Sequence, residues 1–211
     1  MIRKITGFSL LGTALLGLMP LACQPGGVGD PCTPEDEYTP NFAGYNANEV
    51  NVESKSFQCE TRVCLVNHFQ GRVSCKYGQE AAGTATSANC YVPGTAPLVG
   101  AVPTPANIPI TQVVSPQAGN RTADKAVYCS CRCDGDDKNA RYCKCPSGYA
   151  CSHLVDDLHL GGGQLAGSYC VRDGTEYDAK NPGADCSPAG YPLVTPLQAG
   201  AKLSCGAPDP G

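Results

Sequence analysis

Six of the fifteen cysteines of this 211-residue chain lie between Tyr128 and Cys151. The stretch reads Tyr-Cys-Ser-Cys-Arg-Cys, an acidic run from Asp134, and then Tyr-Cys-Lys-Cys-Pro-Ser-Gly-Tyr-Ala-Cys. On extended backbone an alternating Cys-x-Cys-x-Cys run puts every sulfur on one face, and neighbours two apart are badly placed to bridge one another. Each sulfur must find its partner in another segment. Little else is available to hold the chain together: Leu, Ile, Val and Phe make up about 15% of the residues beyond position 23, tryptophan is absent, and burial alone does not fold such a composition. The fold class that follows is small and disulfide-rich, mostly irregular, with short antiparallel β-hairpins and at most one short helix. So many cysteines also imply an oxidising compartment, because cytosolic thiols are kept reduced.

The N-terminus agrees. Met1-Ile2-Arg3-Lys4 is a basic start, and Ile5 to Leu18 is an apolar stretch too short and glycine-interrupted for a membrane span, which together read as an export signal over 1–22. Its end, Leu18-Met19-Pro20-Leu21-Ala22-Cys23, resembles the lipobox of bacterial lipoprotein precursors, in which a small residue precedes the cysteine that is lipidated and becomes N-terminal. Ala22 and Cys23 match, whereas Pro20 stands where that family has leucine, so ordinary signal-peptidase cleavage with Cys23 free or bridged stays open. Setting Cys23 aside leaves fourteen cysteines, which can pair completely. The resemblance implies acyl chains on Cys23 and attachment to the membrane through lipid. In enterobacterial lipoproteins an aspartate after that cysteine retains the protein in the inner membrane, so Gln24 points to the outer membrane. Loss of Arg3 and Lys4 with the leader takes the net charge from −4 to about −6, and without a basic patch nucleic acid is not an expected partner.

Along the mature chain, 23–31 has the composition of a lipidated tether. A cysteine-stapled module is expected over 32–79, with Cys32, Cys59, Cys64 and Cys75 closing it. Within it Thr33-Pro34 starts a single helical turn that Pro40 limits, Val50 and Val52 alternate as in a strand, and Thr61–Val66 and Arg72–Lys76 read as paired strands. Residues 80–126, rich in Pro, Ala and Thr, read as an extended linker, which Cys90 would pin to a module if bridged. A second cysteine-rich module spans 127–178, with strands at Tyr128-Cys129, Tyr142-Cys143 and Tyr169-Cys170. A short helix capped by Ser152 is expected in it, with Leu154, Val155 and Leu158 on one face. The Pro/Gly-rich tail 179–211 carries Cys186 and Cys205, placed to close on each other.

Few residues suggest chemistry. Cys-x-Cys pairs suit zinc or copper as thiolates, although in an exported chain such sulfurs oxidise to disulfides unless metallated first. Asp134-Gly135-Asp136-Asp137-Lys138-Asn139 clusters carboxylates, yet Lys138 and Cys145 stand where a calcium loop needs oxygen ligands, so the run reads as a turn. His153 lies four residues before Asp157 and His159 three after Asp156, spacings that pair acid with imidazole on a helix and support a hydrolase as an alternative. Gly-x-Ser-x-Gly, His-Glu-x-x-His and Cys-x-x-Cys are all missing, and no cofactor motif is present.

Cys143-Lys144-Cys145-Pro146-Ser147-Gly148-Tyr149-Ala150-Cys151 resembles the last part of an epidermal-growth-factor-like module, with fewer residues before the final cysteine than that family has. The resemblance implies an extracytoplasmic binding or spacer module and no particular binding residue. The functional expectation is a non-enzymatic, lipid-anchored envelope protein with a protein or glycan ligand; metal binding and hydrolysis are the alternatives. Within the central stretch, a hairpin about Lys138 would set Cys133 opposite Cys143 and Cys131 opposite Cys145, leaving Cys129 for Cys151 or Cys170. The competing pattern sends Cys131 or Cys133 to Cys90.

Overall fold

Val63-Cys64-Leu65-Val66 is apolar at every position, the pattern of a strand covered on both faces. In a computed structural model, which describes residues 24–79, 90–95, 107–157, 165–175 and 177, this segment is the central strand of an antiparallel sheet. Strand β1 (Val50–Glu53) pairs with β2 (Val63–Asn67), and β2 pairs with β3 (Val127–Ser130). The register sets Val52 opposite Leu65 opposite Tyr128 on one face, and Cys64 opposite Cys129 on the other. The Cys64 face packs with Val66, Val127, Phe69 and Tyr45. The Leu65 face meets Tyr169 and Val171 of a second sheet. That sheet, also antiparallel, has the order β4-β6-β5, from β4 (Arg132–Asp134), β5 (Tyr149–Val155) and β6 (Gly167–Arg172).

Helix is confined to single turns among the described residues, a 3-10 turn at Glu35–Tyr38 and α1 at Ala123–Ala126. The first falls where Thr33-Pro34 and Pro40 place it, although Pro34, not a Thr33 hydroxyl bond, occupies its N-cap. The helix expected from Ser152 is instead β5. Six residue pairs with β6 satisfy its backbone, and that pairing outweighs a short local helical preference. Arg72–Lys76 forms no strand: Arg72 and Cys75 bridge across a turn, and Tyr45 pairs with Gly71. The partner expected for β2 from that side is replaced by β1 and β3.

The two modules expected at 32–79 and 127–178 share the first sheet, since β3 hydrogen-bonds β2. The described parts of the expected linker also pack against the fold. Gln79 and Val114 exchange backbone bonds, Val92, Ile110 and Val114 bury with Cys75, and the Gln79 amide donates to the carbonyls of Ile110 and Gln112 while its oxygen accepts from Cys90 N. Among the described residues of this region the pairing is limited to isolated bridges, and the buried Gln79 side-chain amide supplies further backbone bonds. The expected tether is likewise held from Gly26, whose N–H donates to the Gln58 carbonyl at 2.7 Å and whose carbonyl accepts from Glu60 N–H.

All twelve described cysteines pair: Cys32–Cys64, Cys59–Cys129, Cys75–Cys90, Cys131–Cys143, Cys133–Cys151 and Cys145–Cys170. Cys32–Cys64 lies within the first expected module, as expected, but Cys59 reaches β3 and Cys75 reaches Cys90, so that module is not closed by its own cysteines alone. Cys90 pins the expected linker to the N-terminal unit, not to Cys131 or Cys133. The expected pairs Cys131–Cys145 and Cys133–Cys143 are not formed. That register assumed a continuous strand from Val127 to Cys133, but the chain leaves one sheet after Ser130 and enters the other at Arg132. β4 then pairs with β6, and the 141–145 segment keeps only one backbone bond to it, Cys143 N–H to the Arg132 carbonyl. Cys23, Leu158, His159, Cys186 and Cys205 lie outside the described residues.

Candidate functional site

Both edge strands of the second sheet lose register at the same level. The β4 pairing shifts between Arg132 and Asp134, and the β5 pairing between His153 and Val155, each opposite the start of β6. Bulges bend a strand and re-aim its side chains. Two at one level open a cleft of about 240 Å³, with Ser168 on its floor. Ser168 is the register partner of Asp134 on one side and of His153 on the other.

Two glycines let the walls approach. Gly167 has φ +129°, and a side chain there would meet the Asp134 carbonyl. A side chain at Gly135 would strike the Arg132 guanidinium and the Tyr142 hydroxyl. The acidic run forms the rim. Asp134 accepts from the N–H of Gly135 at 2.8 Å, Asp137 from that of Asn139 at 2.9 Å, and the Tyr142 hydroxyl donates to the Asp137 carbonyl at 2.9 Å. These are turn-forming bonds, as the sequence leads one to expect. Arg132 lies over the Tyr142 ring with its guanidinium 5.3 Å from the ring centre. The lining thus sets Arg132 and Lys138 against Asp134, Asp136 and Asp157, with His153 at one side.

The histidines divide. His153, on a strand and not a helix, contacts Asp156 at 2.9 Å and not the expected Asp157; both side chains are mostly in solvent, at 60% and 87% exposure, so no water-excluded relay forms. His68 stacks on Tyr177 at 4.2 Å with its Nδ1 3.0 Å from the Ala47 carbonyl, and burial pushes its pKa below the ordinary value. Ser168, Arg132 and Gly167 carried no signal in the sequence, because the cleft exists only through two register shifts between segments far apart in the chain. No protein-family model, curated protein or solved structure matches this chain.

Proposed function

We propose that the protein is a non-enzymatic, lipid-anchored component of a bacterial envelope, held in the outer membrane through Cys23, and that it binds a small polar group in the cleft beside Ser168. The observation carrying the binding role is that cleft, which presents charges of both signs on a frame crossed by three disulfides. Its volume lies below that of pockets for drug-sized ligands, so it suits one polar end group of a larger glycan or peptide, such as a single sugar or a charged terminus. The leader over 1–22 and the cysteine at its end support the anchor.

Replacing Cys23 by serine is expected to move the protein from the membrane to the soluble fraction, and retention in the membrane overturns the anchor. For the cleft, amide shifts on titration with free amino sugars and amino acids are expected to centre on Ser168 and Gly135; a panel that moves neither residue overturns the binding role. A second reading, thiolate binding of zinc or copper, needs the disulfides reduced; three triads of Sγ atoms, each within 4.8 Å, would then supply ligands: Cys32, Cys59 and Cys129; Cys131, Cys143 and Cys170; and Cys133, Cys145 and Cys151. Several metal equivalents per chain in protein purified from the envelope would establish it instead. The hydrolase reading rests on His153 or His159; an unimpaired His153→Ala, His159→Ala double variant in cells would remove that role.

A further inference from the structure

Three disulfides in the second half of the fold are packed sulfur against sulfur. The Cys170 Sγ lies 3.5 Å from that of Cys131 and 3.7 Å from that of Cys143, which are bonded to each other. At the other end of the same bond, the Cys145 Sγ lies within 4.8 Å of both sulfurs of Cys133–Cys151. The Cys145–Cys170 bond therefore links the other two. Exposure differs along the row: Cys151 is exposed, Cys133, Cys145 and Cys143 are half-buried, and Cys170 and Cys131 are buried.

Thiol–disulfide exchange requires a thiolate to reach one sulfur of a disulfide and expel the other. We propose that these three bonds form one exchange centre, which takes two electrons from an external dithiol at Cys151 and delivers them along the row to Cys143. One thiolate of the dithiol bonds the Cys151 sulfur, and the Cys133–Cys151 bond breaks to leave the Cys133 thiolate. Cys133 attacks Cys145, forming Cys133–Cys145 and expelling the Cys170 thiolate. Cys170 attacks Cys131, forming Cys131–Cys170 and expelling the Cys143 thiolate, which takes up a proton. The second thiol of the reductant then attacks its own mixed disulfide and departs as a disulfide, and Cys151 leaves protonated as a thiol. One dithiol is oxidised, three protein disulfides become two, and the two protons it loses balance those taken up at Cys143 and Cys151.

The backbone favours the inner product. Cys170 N–H already donates to the Cys131 carbonyl at 3.1 Å, and the Ser130 hydroxyl donates to the Cys170 carbonyl at 2.8 Å, so the new bond joins residues whose backbones already meet. Once formed it is buried, whereas Cys151 stays open to further exchange. The arrangement needs no Cys-x-x-Cys motif, because the fold supplies the proximity.

The test uses the full oxidised chain. Dithiothreitol is added until two thiols per chain appear, the mixture is quenched in acid and alkylated, and the linkages are mapped by mass spectrometry without further reduction. Alkylation of Cys143 and Cys151, with Cys133–Cys145 and Cys131–Cys170 as the new links, is the expected result. Alkylation confined to Cys133 and Cys151 with the other two bonds intact, or first thiols at any bond outside the row, overturns the proposal. In a Cys133→Ser, Cys151→Ser double variant whose remaining linkages are native, alkylation at Cys143 is expected to be lost, and its persistence counts against entry at Cys151.

Discussion

Arg72 is fully buried, and its substitution tests how a chain with so little aliphatic side-chain content is held together. Its guanidinium donates to the carbonyls of Phe42 at 2.7 Å, Thr39 at 3.3 Å and Glu37, sits 5.4 Å from the centre of the Phe42 ring, and places Nε 3.8 Å from the buried Glu37 carboxylate. Glu37 in turn accepts from the N–H groups of Val73 and Ser74 and from the Ser74 hydroxyl. Burial pushes the arginine's pKa down and Glu37 draws it back up. Arg72→Met keeps the stem and removes the charge, leaving Glu37 as a buried anion and three carbonyls without this donor. Breaking a buried pair from one side costs about 3–5 kcal/mol, and each orphaned carbonyl about 1–3 kcal/mol, with overlap between the two because the groups share one site. A loss of about 4–5 kcal/mol is expected, a large part of a typical domain's stability and a fall of roughly 10 °C or more in melting temperature. Arg72→Lys separates the causes: it keeps a cation near Glu37 but not the planar fork, so it is expected to lose at least half as much as the methionine variant. Both are read by guanidinium denaturation with disulfides intact and unchanged m-values. A lysine variant as stable as the wild type, or a methionine variant less than about 1 kcal/mol down, would refute the claim that carbonyl capture by arginine holds this region.

The Cys59–Cys129 bridge joins residues 70 apart in sequence, so replacing both by serine is expected to cost up to about 4 kcal/mol by loop entropy, read from the denaturation midpoint; a cost under about 1 kcal/mol would mean that β2–β3 pairing suffices alone. His68 favours its neutral form in the fold, so its contribution is full above its ordinary value of 6.5 and is lost as pH falls through the lowered folded value. The stability gap between wild type and His68→Phe, measured by melting at pH 7.5 and pH 5, is therefore expected to narrow on acidification; a constant gap would refute the assignment. Gly167→Ala is expected to cost about 2 kcal/mol and to abolish amide shifts at Ser168 in ligand titrations, because φ +129° and the Asp134 carbonyl leave no place for a methyl group.

Elements whose signal is local were legible in the sequence. Val50 and Val52 alternate and form β1, Tyr128-Cys129 and Tyr169-Cys170 fall in β3 and β6, and Pro34 and Pro40 bracket the turn at Glu35–Tyr38. The small, disulfide-rich class with short antiparallel strands followed from composition. What stayed hidden was non-local. Nothing in Cys129-Ser130-Cys131 marks the passage between sheets, yet that single step decides where three sulfurs go. The helical spacing after Ser152 was overruled by a partner strand twelve or more residues on. Arg72 and Arg121 look like ordinary surface cations, yet both are buried; Arg121 binds the carbonyls of Asn67, His68 and Thr175. A guanidinium with five donors joins loops that have no ladder of their own. For the same reason the cleft at Ser168 could not be read beforehand, since its walls meet only after β4 and β5 have both slipped against β6.

Gly26 is already bonded to the body of the protein. With acyl chains on Cys23, as proposed, about three residues separate bilayer from fold, and a fully extended chain of that length spans only about 10 Å. The molecule would ride against the headgroups with its N-terminal face turned toward them, unable to stand off and sample the compartment. Its encounters would then be with what diffuses in the membrane plane or comes to the surface, and lengthening the Gln24-Pro25 segment with glycine and serine would change which partners it meets without altering any contact within the fold.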